Sequence, residues 1–356
     1  MILSNLKLIN FRNYDILDLT FSKGLNFIVG ENASGKTNLV ESIFYLSLAR
    51  SFKTHNDLEA IKVNSSEALI KGKIYSNDIF NNLSIKITSK GKIIYLNDKK
   101  INKLSELTKY LNVLLFVPSD TNLMKNSPKE RRFFLDLNLS KMSLSYQNAL
   151  INYEKLLKER NNELKKEKVD LILLDVLTTK LIEESQKIYL FRKKFISEIN
   201  SIISNIYQEI SFEKKELEIR YLPFVNANNF TNEATKKYQE ALNEDLLKKV
   251  TTIGVHKEDF EILINKQNIA KFGSQGENRL AVLSLKLAPY FLISKDELKP
   301  LVILDDILSE LDENHETLLI NFLKQFNQVF ITSAKRNKNM IKNVYKVENN
   351  TIKLED

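Results

Sequence analysis

The segment Gly30 to Thr37, which reads GENASGKT, constrains this 356-residue chain more than any other stretch. It fills every fixed position of the phosphate-loop pattern G-x-x-x-x-G-K-[ST]. An apolar run over Leu25–Val29 precedes it and a helical pattern over Asn38–Ala49 follows, which is the strand–loop–helix context that the pattern needs. A chance match in a turn is the weaker alternative, because both flanking signals are present. The sequence therefore predicts a loop that surrounds a polyphosphate with N–H groups at a helix N-terminus.

Each fixed position of this loop needs its residue type for a chemical reason. Gly30 and Gly35 permit backbone angles that are closed to other residues. Lys36 is predicted to reach the outer phosphates as a catalytic cation, and the Thr37 hydroxyl is predicted to hold Mg²⁺. The predicted cofactors are therefore ATP and Mg²⁺. The predicted ATP contacts are Gly30, Glu31, Asn32, Ala33, Ser34, Gly35, Lys36, Thr37 and Asn38.

Composition indicates what kind of partner and which compartment the protein has. The net charge of +8 favours a polyanionic partner, although abundant Lys, Asn and Ile make this weak evidence by itself. The chain has no cysteine, which excludes structural disulfides and thiol metal sites and suits a reducing cytoplasm. The N-terminus alternates in hydropathy and does not have the pattern of a signal peptide. No apolar run reaches the roughly 18 residues of a membrane span. We therefore predict a cytoplasmic protein without a membrane partner.

The secondary-structure pattern predicts an α/β fold with a mixed sheet and a discontinuous head. Strand-like sequence dominates the first 118 residues, whereas helical spacing dominates Met142–Lys166 and Val169–Glu213. We therefore predict that residues 1–118 and 250–356 form the head and that residues 119–249 form a mainly helical insertion. The insertion is either a globular helical subdomain or a lever-like arm of two paired helices.

Two further stretches point to nucleotide chemistry. Gly273–Glu277 opens a long apolar helix over Arg279–Ile293, so it predicts a second anion site, with an ordinary Gly-Ser loop as an equal alternative. The apolar strand Leu301–Leu304 ends in two carboxylates. Asp305 is predicted to hold Mg²⁺ through water, and Asp306 is predicted to orient or deprotonate the attacking water. A strand that ends in two solvated acids is the alternative.

The order of these parts resembles the ATP-binding-cassette class of ATPases. Within that class the chain resembles the RecF family of bacterial recombination-mediator ATPases, nearly from end to end. The insertion has an intermediate length, which fits this family better than transporter subunits or chromosome-structure ATPases. The motifs that carry the resemblance are LKLINFRNY, GENASGKTNLVESI, SFKT, VPSDTNLMKNSPKERRFFLD, GVHKEDF, FGSQGENRLAVLSLKLA and LVILDDILSELD.

The resemblance implies an ATPase head that works as a pair, with ATP held between two copies. It implies slow, DNA-stimulated hydrolysis and an ATP-dependent homodimer on double-stranded DNA and at junctions with single strands. It also implies cooperation with RecR in loading RecA during repair, replication and the SOS response. The residues implied to contact ATP across the dimer are Ser274, Gln275, Gly276, Glu277 and Asp312. The candidates for DNA contact are Arg50, Lys53, Arg131 and Arg132, although spacing alone favours a solvated basic loop for the first two.

Two positions depart from the family pattern. Ala33 stands where glycine is common, and Lys257 replaces an arginine, so a bidentate contact becomes a point charge. The strand before Thr332 also lacks the switch histidine of transporter-type ATPases, which is usual for the family and favours slow hydrolysis. Two other functions stay open at this point: a transporter-type ATPase subunit, and a structural DNA clamp that binds ATP without hydrolysing it.

Overall fold

The computed structural model describes residues 1–76, 78–101, 106–226, 228–293, 299–348 and 350–355. The chain divides into two compact units. The first unit comprises Met1–Thr121, Ile206–Glu213 and Leu283–Asp356, and the second comprises Asn122–Asn205 and Lys214–Val282. Along the described chain, no helix combines the length and apolar character that a membrane span needs.

An antiparallel sheet, called here the N-terminal sheet, begins the first unit. Its strands alternate buried and exposed side chains because one face packs on the core and the other faces solvent. Their order in the sheet is β2-β1-β4-β5-β6-β7. The strands are β1 (Ile2–Phe11), β2 (Tyr14–Thr20), β4 (Glu67–Ser76), β5 (Ile79–Thr88), β6 (Gly91–Leu96) and β7 (Lys99–Ile101).

The second sheet of this unit, called here the loop-bearing sheet, has the order β15-β14-β3-β13-β12-β8. Its neighbours pair in parallel from β14 to β8, and β15 closes the edge in an antiparallel hairpin. The central strands Leu301–Leu304 and Gln328–Ser333 are buried along their length, and most of their residues are apolar because both of their faces are covered. The strands are β3 (Gly24–Val29), β8 (Val113–Phe116), β12 (Leu301–Leu304), β13 (Gln328–Ser333), β14 (Val344–Glu348) and β15 (Thr351–Glu355).

Helix α1 (Lys36–Leu48) belongs to the same apolar core as both sheets, through side chains such as Leu39, Ile43 and Leu46. It begins directly after the phosphate loop, so the loop is anchored by a buried strand on one side and a buried helix on the other. The other helices that lie wholly in this unit are α2 (Leu107–Tyr110) and α10 (Glu313–Leu323).

The second unit is mainly helical and carries a small antiparallel sheet of order β11-β10-β9. Its longest helices, α4 and α5, pack against each other, as the paired apolar spacing predicts. The Asp170 side chain accepts hydrogen bonds from the N–H groups of Ile172 and Leu173 and so caps α5. The elements are α3 (Pro128–Met142), α4 (Leu144–Leu164), α5 (Leu171–Asn200), β9 (Leu217–Leu222), α7 (Phe230–Lys248), β10 (Asp259–Ile264), β11 (Gln267–Asn268) and α8 (Ile269–Phe272).

The structure differs from the predicted organisation at three places. The helical pattern predicted as one stretch over Val169–Glu213 ends at Asn200, and a separate helix, α6 (Ile203–Ser211), follows. Helix α3 was not predicted as a helix of its own. The predicted head resumes at residue 250, whereas the first unit takes up the short segment Ile206–Glu213 and then resumes at Leu283, inside α9 (Gln275–Leu292). The reason is that β10 pairs with β9, which keeps this stretch with the helical unit.

Candidate functional site

Three parallel strands bring the predicted phosphate loop and the predicted carboxylates to one edge of the loop-bearing sheet. Strand β13 lies between β3 and β12, and all three run in the same direction. Their carboxyl ends therefore meet, which is where ligands bind in such sheets. The loop follows β3, Asp305 follows β12, and Thr332 lies at the end of β13.

The phosphate loop has the backbone that its glycines permit. Gly35 lies at φ +114°, in the region that favours glycine, and the Tyr14 hydroxyl donates to its carbonyl over 3.1 Å. A Cβ at Gly35 would lie 2.6 Å from the Asn13 side-chain nitrogen, and one at Gly30 would lie 2.5 Å from the Val347 carbonyl oxygen. Both fixed glycines are therefore required by space, as the pattern predicts. A pocket is lined by Ala33, Gly35, Lys36, Thr37, Asn38 and Lys53.

Ala33 is the departure in this loop that has a structural cost. Its φ is 65°, so a residue with a side chain occupies the left-handed region that glycine adopts without strain. A left-handed backbone costs an L-residue about 1–2 kcal/mol. The loop conformation is kept in spite of this cost, because the flanking strand and helix fix both of its ends.

Lys36 is buried in the phosphate loop. Its Nζ donates hydrogen bonds of 2.6 Å to the Gly30 carbonyl and 2.7 Å to the Glu31 carbonyl. Burial lowers the pKa of Lys36, and the nearby carboxylates of Asp306 and Asp305 oppose that shift. The ammonium is thus held inside the loop by backbone carbonyl oxygens, at the position where the pattern requires a phosphate contact.

Asp305 and Thr37 lie together, as predicted for a shared metal ion. The Thr37 hydroxyl donates to Asp305 Oδ1 over 3.2 Å, and the Thr332 hydroxyl donates to the same oxygen over 2.7 Å. Burial raises the pKa of Asp305, while the two hydroxyl donors act in the opposite direction. Thr332 was not predicted as a site residue. Its position at the end of a strand beside β12 is the signal that indicates it.

Asp306 has a left-handed backbone and an incompletely bonded side chain. Its φ is 49°, and its N–H donates to the Thr332 hydroxyl over 2.8 Å. Among the residues that the structure describes, its buried side-chain Oδ1 has no hydrogen-bond partner. A buried carboxylate oxygen without a donor is costly, and such oxygens occur at sites that receive water, an ion or substrate. The residue thus has an unsatisfied acceptor at the place predicted for the catalytic base.

The donors present fit Mg²⁺. Magnesium prefers oxygen ligands and binds through one or two protein side chains together with substrate phosphates and water. Thr37 and Asp305 supply such oxygens, and the unsatisfied Asp306 oxygen lies on the neighbouring residue. Within the described ranges, no group of three or more His, Asp or Glu side chains forms a separate metal cage. This arrangement suits a cation that arrives with a nucleotide.

Lys53 was predicted as a candidate for DNA contact, and the structure places it at the pocket beside the phosphate loop. Its Nζ donates to Asn38 Oδ1 over 2.6 Å and lies 3.5 Å from Glu41. Burial lowers its pKa, and Glu41 opposes the shift. Glu41 is fully buried and also accepts hydrogen bonds from Arg12 and Ser51. The Glu41 carboxylate therefore has partners besides Lys53.

Arg131, another candidate for DNA contact, is buried and makes its hydrogen bonds within the second unit. It is 8% exposed and forms a bidentate ion pair with Asp259, at 2.7 and 2.8 Å. Its remaining donors go to the carbonyl oxygens of Leu123, Met124 and Asn126. Arg132 donates to the Glu258 carbonyl over 2.7 Å, and burial lowers its pKa. Arg50 is exposed, although the protein atoms around it lower its pKa through desolvation.

The second predicted anion site lies at the beginning of α9. Ser274 and Glu277 form a reciprocal capping box, in which the Ser274 N–H donates to the Glu277 carboxylate and the Glu277 N–H donates to the Ser274 hydroxyl. Glu277 also pairs with Lys215 at 2.8 Å, and these bonds lower the pKa of Glu277 to about 2. Ser274, Gln275 and Gly276 are exposed, so this helix start is accessible.

Asp312 caps the next helix. Its carboxylate accepts hydrogen bonds from the N–H groups of Asn314 and His315 and lies 2.6 Å from the His315 ring. These bonds to His315 lower its pKa. It remains exposed at the surface, which leaves the predicted contact across a dimer possible in space.

The fold and this site define a class of protein. A phosphate loop after a parallel strand, a neighbouring strand that ends in Asp-Asp and a helical insertion are the features of ATPase heads of the ABC and SMC class. The profile of the RecF/RecN/SMC N-terminal domain family matches residues 2–353. A head domain of Smc from Pyrococcus furiosus shares the fold, with a TM-score of 0.60, 17% identity and coverage of 99% of this chain and 95% of that one.

More similar proteins narrow the class to one family. A protein of Bacillus thuringiensis (strain Al Hakam), named DNA replication and repair protein RecF, is 38% identical over 345 residues, which is 94% of this chain and 92% of the relative. A structure of the recombination mediator protein RecF with ATP, of the RecFOR pathway, superposes with a TM-score of 0.89 at 31% identity, covering 99% of this chain and 97% of that one. The chain belongs to the RecF family. This membership decides against a transporter-type subunit.

Proposed function

We propose that this protein is an ATP-dependent DNA-binding ATPase of recombinational repair and replication maintenance. The observation that carries the proposal is the meeting of Lys36, Thr37, Asp305 and Asp306 at the carboxyl edge of the loop-bearing sheet, in a chain of the RecF family. The names of the relatives, which refer to DNA replication, repair and recombination mediation, support the biological setting.

A few side chains share the roles that ATP hydrolysis needs at this site. Lys36 leaves the loop carbonyls and binds the outer phosphates, and Lys53 adds a second positive charge to the pocket. Thr37 and Asp305 would hold Mg²⁺, and the bound ion would supply positive charge next to the phosphates. Asp306 accepts a proton from the attacking water as the bond between the γ-phosphorus and the bridging oxygen breaks, giving ADP and phosphate. The αL backbone of Asp306 orients this carboxylate.

The nucleotide site of a single copy lacks a second set of N–H groups opposite the phosphate loop. The phosphate loop offers N–H groups from one wall only, and the exposed helix start at Ser274 to Glu277 offers N–H groups for another anion. Two copies arranged head to tail place this helix start and Asp312 against the nucleotide of the partner copy. ATP therefore drives homodimerisation, and hydrolysis releases it.

The nucleic-acid and protein partners follow from the family. The dimer binds double-stranded DNA and junctions with single strands, and it cooperates with RecR in loading RecA in the cytoplasm. The excess of basic residues, a net charge of +8, favours this polyanionic partner. DNA affinity is expected to fall steeply with salt, because phosphate contacts release counterions. A flat salt dependence argues against a basic binding face.

Gel filtration with and without ATP tests the proposal. The wild-type protein is expected to elute as a monomer alone and as a dimer with ATP and Mg²⁺, and Lys36→Ala is expected to lose both ATP binding and the dimer. Lys187→Ala, which removes an exposed lysine from α5, is the control and keeps both. A Lys36→Ala protein that still dimerises with ATP would show that the nucleotide is not sandwiched as proposed.

Phosphate release separates the ATPase from a structural clamp. We expect slow release without DNA and faster release with duplex DNA. A protein that binds ATP and DNA but releases no phosphate under either condition is a clamp that uses ATP only as a ligand, and the hydrolytic part of the proposal is then wrong.

A further inference from the structure

An exposed phenylalanine follows the last residue of α6. Phe212 is 66% exposed, and it lies in the short segment that α6 contributes to the first unit. Its ring makes an edge contact with the ring of His315 on α10, with 6.4 Å between the two centroids. A single exposed apolar residue is ordinary, whereas one that the surrounding structure holds in a costly conformation is not.

The backbone of Phe212 is strained. Its φ is 59°, and a bulky side chain in this left-handed region is rare. Residues on both sides of it are bonded to α6. The Glu213 N–H donates to the Ser211 hydroxyl over 3.2 Å, and the buried Tyr207 donates its hydroxyl to the Glu213 carboxylate over 3.1 Å. The turn is therefore fixed by its neighbours, while the ring between them stays exposed to solvent.

The ring of Phe212 lies beside the cap of α10. His315, which the ring contacts, has its Nδ1 2.6 Å from Asp312 Oδ2, and Asp312 is exposed. Asp312 is one of the residues proposed to meet the nucleotide of the partner copy. Phe212 therefore lies on the same surface as a proposed contact between two copies of the chain.

The charges around the ring favour a protein over a nucleic acid as its partner. Asp312 and Glu313 are exposed at the start of α10, and Glu310 is exposed just before it. Lys338 offsets one of these charges through its pair with Glu313 at 3.0 Å. The remaining carboxylates repel phosphate groups. A second copy of the chain presents the same patch when a two-fold axis relates the copies, so such an interface contains two Phe212 rings.

We propose that Phe212 is an aromatic anchor of the ATP-dependent homodimer, and that its ring is buried against the second copy of the chain. The cores of interfaces are enriched in aromatic residues, and a few such residues carry most of the binding energy. A ring whose backbone is already fixed loses little conformational freedom on binding. This inference rests on the proposed function, because it names a residue that holds together the dimer proposed there.

Sedimentation equilibrium with ATP and Mg²⁺ tests the proposal through the dissociation constant of the dimer. Phe212→Ala is expected to raise this constant about 30-fold or more, because each dimer loses two rings. Phe212→Asn suits the left-handed backbone but has no ring, so we expect it to weaken the dimer equally. Phe212→Tyr keeps the ring and is expected to stay within a few-fold of the wild-type protein. Leu247→Ala removes an exposed apolar side chain from α7 and is the control.

Two properties of the monomer separate a lost interface from general damage. Because the Phe212 side chain is exposed and does not line the pocket beside the phosphate loop, all three variants are expected to bind ATP as monomers with unchanged affinity. Phe212→Asn is also expected to keep or raise the thermal unfolding midpoint, since asparagine tolerates the left-handed backbone better than phenylalanine.

A single tryptophan reports directly on the burial of this position. The chain has no tryptophan, so Phe212→Trp introduces one emitter and keeps an aromatic ring. Its emission is expected to shift to shorter wavelength with ATP and Mg²⁺ at protein concentrations that give the dimer. At concentrations that leave the protein monomeric, no shift is expected. Leu247→Trp is the control, and its emission is expected not to respond to ATP.

The outcomes separate this inference from the proposed function. If the wild-type protein dimerises with ATP and Phe212→Ala and Phe212→Asn dimerise equally well, the ring is not an anchor and the dimer itself stands. If the wild-type protein stays monomeric with ATP, the proposed dimer is wrong and the anchor is wrong with it. A shift in the Phe212→Trp emission on addition of duplex DNA without ATP would assign the ring to nucleic acid and overturn the inference. Equal weakening of the dimer by Leu247→Ala would also overturn it.

Discussion

The backbone angles of single residues in and near the phosphate loop determine which residue types fit there. Gly35 is required both by its positive φ and by the Asn13 side chain beside it. Ala33 has a positive φ without being glycine, so the same loop contains one residue that fits its conformation and one that is strained in it. Two residues beyond β12, Asp306 combines a left-handed backbone with an unsatisfied oxygen.

Replacing Ala33 by glycine should stabilise the protein. Relief of the left-handed strain contributes about 1–2 kcal/mol, and the greater freedom of glycine in the unfolded chain removes about 0.4–1 kcal/mol of it. We expect Ala33→Gly to raise the thermal unfolding midpoint slightly and to keep ATP binding. Ala241→Gly, in the middle of α7, is the matched control and should destabilise by about 1 kcal/mol. A loss of stability in Ala33→Gly similar to that of the control would contradict the strain argument.

Replacing Asp306 by asparagine should separate ATP binding from hydrolysis. Asparagine has the same size and tolerates the left-handed backbone, but it does not accept the proton of the attacking water. We expect normal ATP binding and a loss of phosphate release of about 100-fold or more. Steady-state phosphate release and nucleotide titration measure both quantities. Glu313→Gln, at an exposed carboxylate on α10, is the control. Unchanged hydrolysis in Asp306→Asn would remove this residue from the role of base.

At the scale of elements, α5 is held to its neighbours by a buried charge network. Arg192 donates to Asp136 on α3 and to Glu258 next to β10, and it also contacts the Val255 carbonyl. Breaking a buried pair by removing one partner costs about 3–5 kcal/mol, because the other charge stays buried. The apolar spacing of α5 predicts the helix from sequence. The arginine within it gives no local sign that its partners lie 56 and 66 residues away.

A buried histidine in the same unit predicts a pH dependence of stability. His256 Nδ1 accepts from the Tyr153 hydroxyl over 2.6 Å, and its Nε2 donates to the Thr251 carbonyl over 3.2 Å. Burial lowers its pKa from 6.5 to about 4. The unfolded chain therefore binds a proton that the folded protein excludes, and stability present above pH 6.5 is lost as the pH falls towards 4.

The size of this effect follows from the two pKa values and amounts to roughly 3 kcal/mol. Urea unfolding at several pH values measures it. His256→Gln keeps an amide donor for the Thr251 carbonyl and does not titrate, so it should unfold with a smaller dependence on pH across this window. The same slope in the variant and the wild-type protein would assign the pH dependence to other groups.

At the scale of the whole molecule, a dimer interface should be separable from the nucleotide pocket. Ser274 is exposed at the start of α9, and its hydroxyl accepts the Glu277 N–H in the local capping box. Ser274→Arg adds bulk and charge at the proposed interface, so we expect it to abolish ATP-dependent dimerisation while ATP binding by the monomer stays within a few-fold of normal. Asn243→Arg, on the exposed side of α7, is the control. An ATP-dependent dimer of Ser274→Arg would contradict the head-to-tail arrangement.

Local patterns determined much of the molecule. Phosphate-loop sequence, strand alternation and helical spacing predicted the loop, the main strands of both sheets and the paired helices α4 and α5, because these signals depend on backbone angles and on one-sided burial within a few residues. The basic composition predicted a polyanionic partner but did not identify it. The family followed from the order of the motifs along the chain.

Only the tertiary structure decided which basic side chains are already bonded to carboxylates and carbonyl oxygens. Lys53 and Arg131 are equally basic in the sequence, yet Lys53 lines the pocket beside the phosphate loop and Arg131 is bonded to Asp259 and backbone carbonyls. The row of Lys7, Lys71 and Tyr95 across the N-terminal sheet could likewise not be predicted, because these residues come from separate strands and meet only through the sheet register. The hydropathy pattern of a strand or helix determines the face on which a side chain lies. The residues that this side chain contacts depend on which other strands and helices pack beside it.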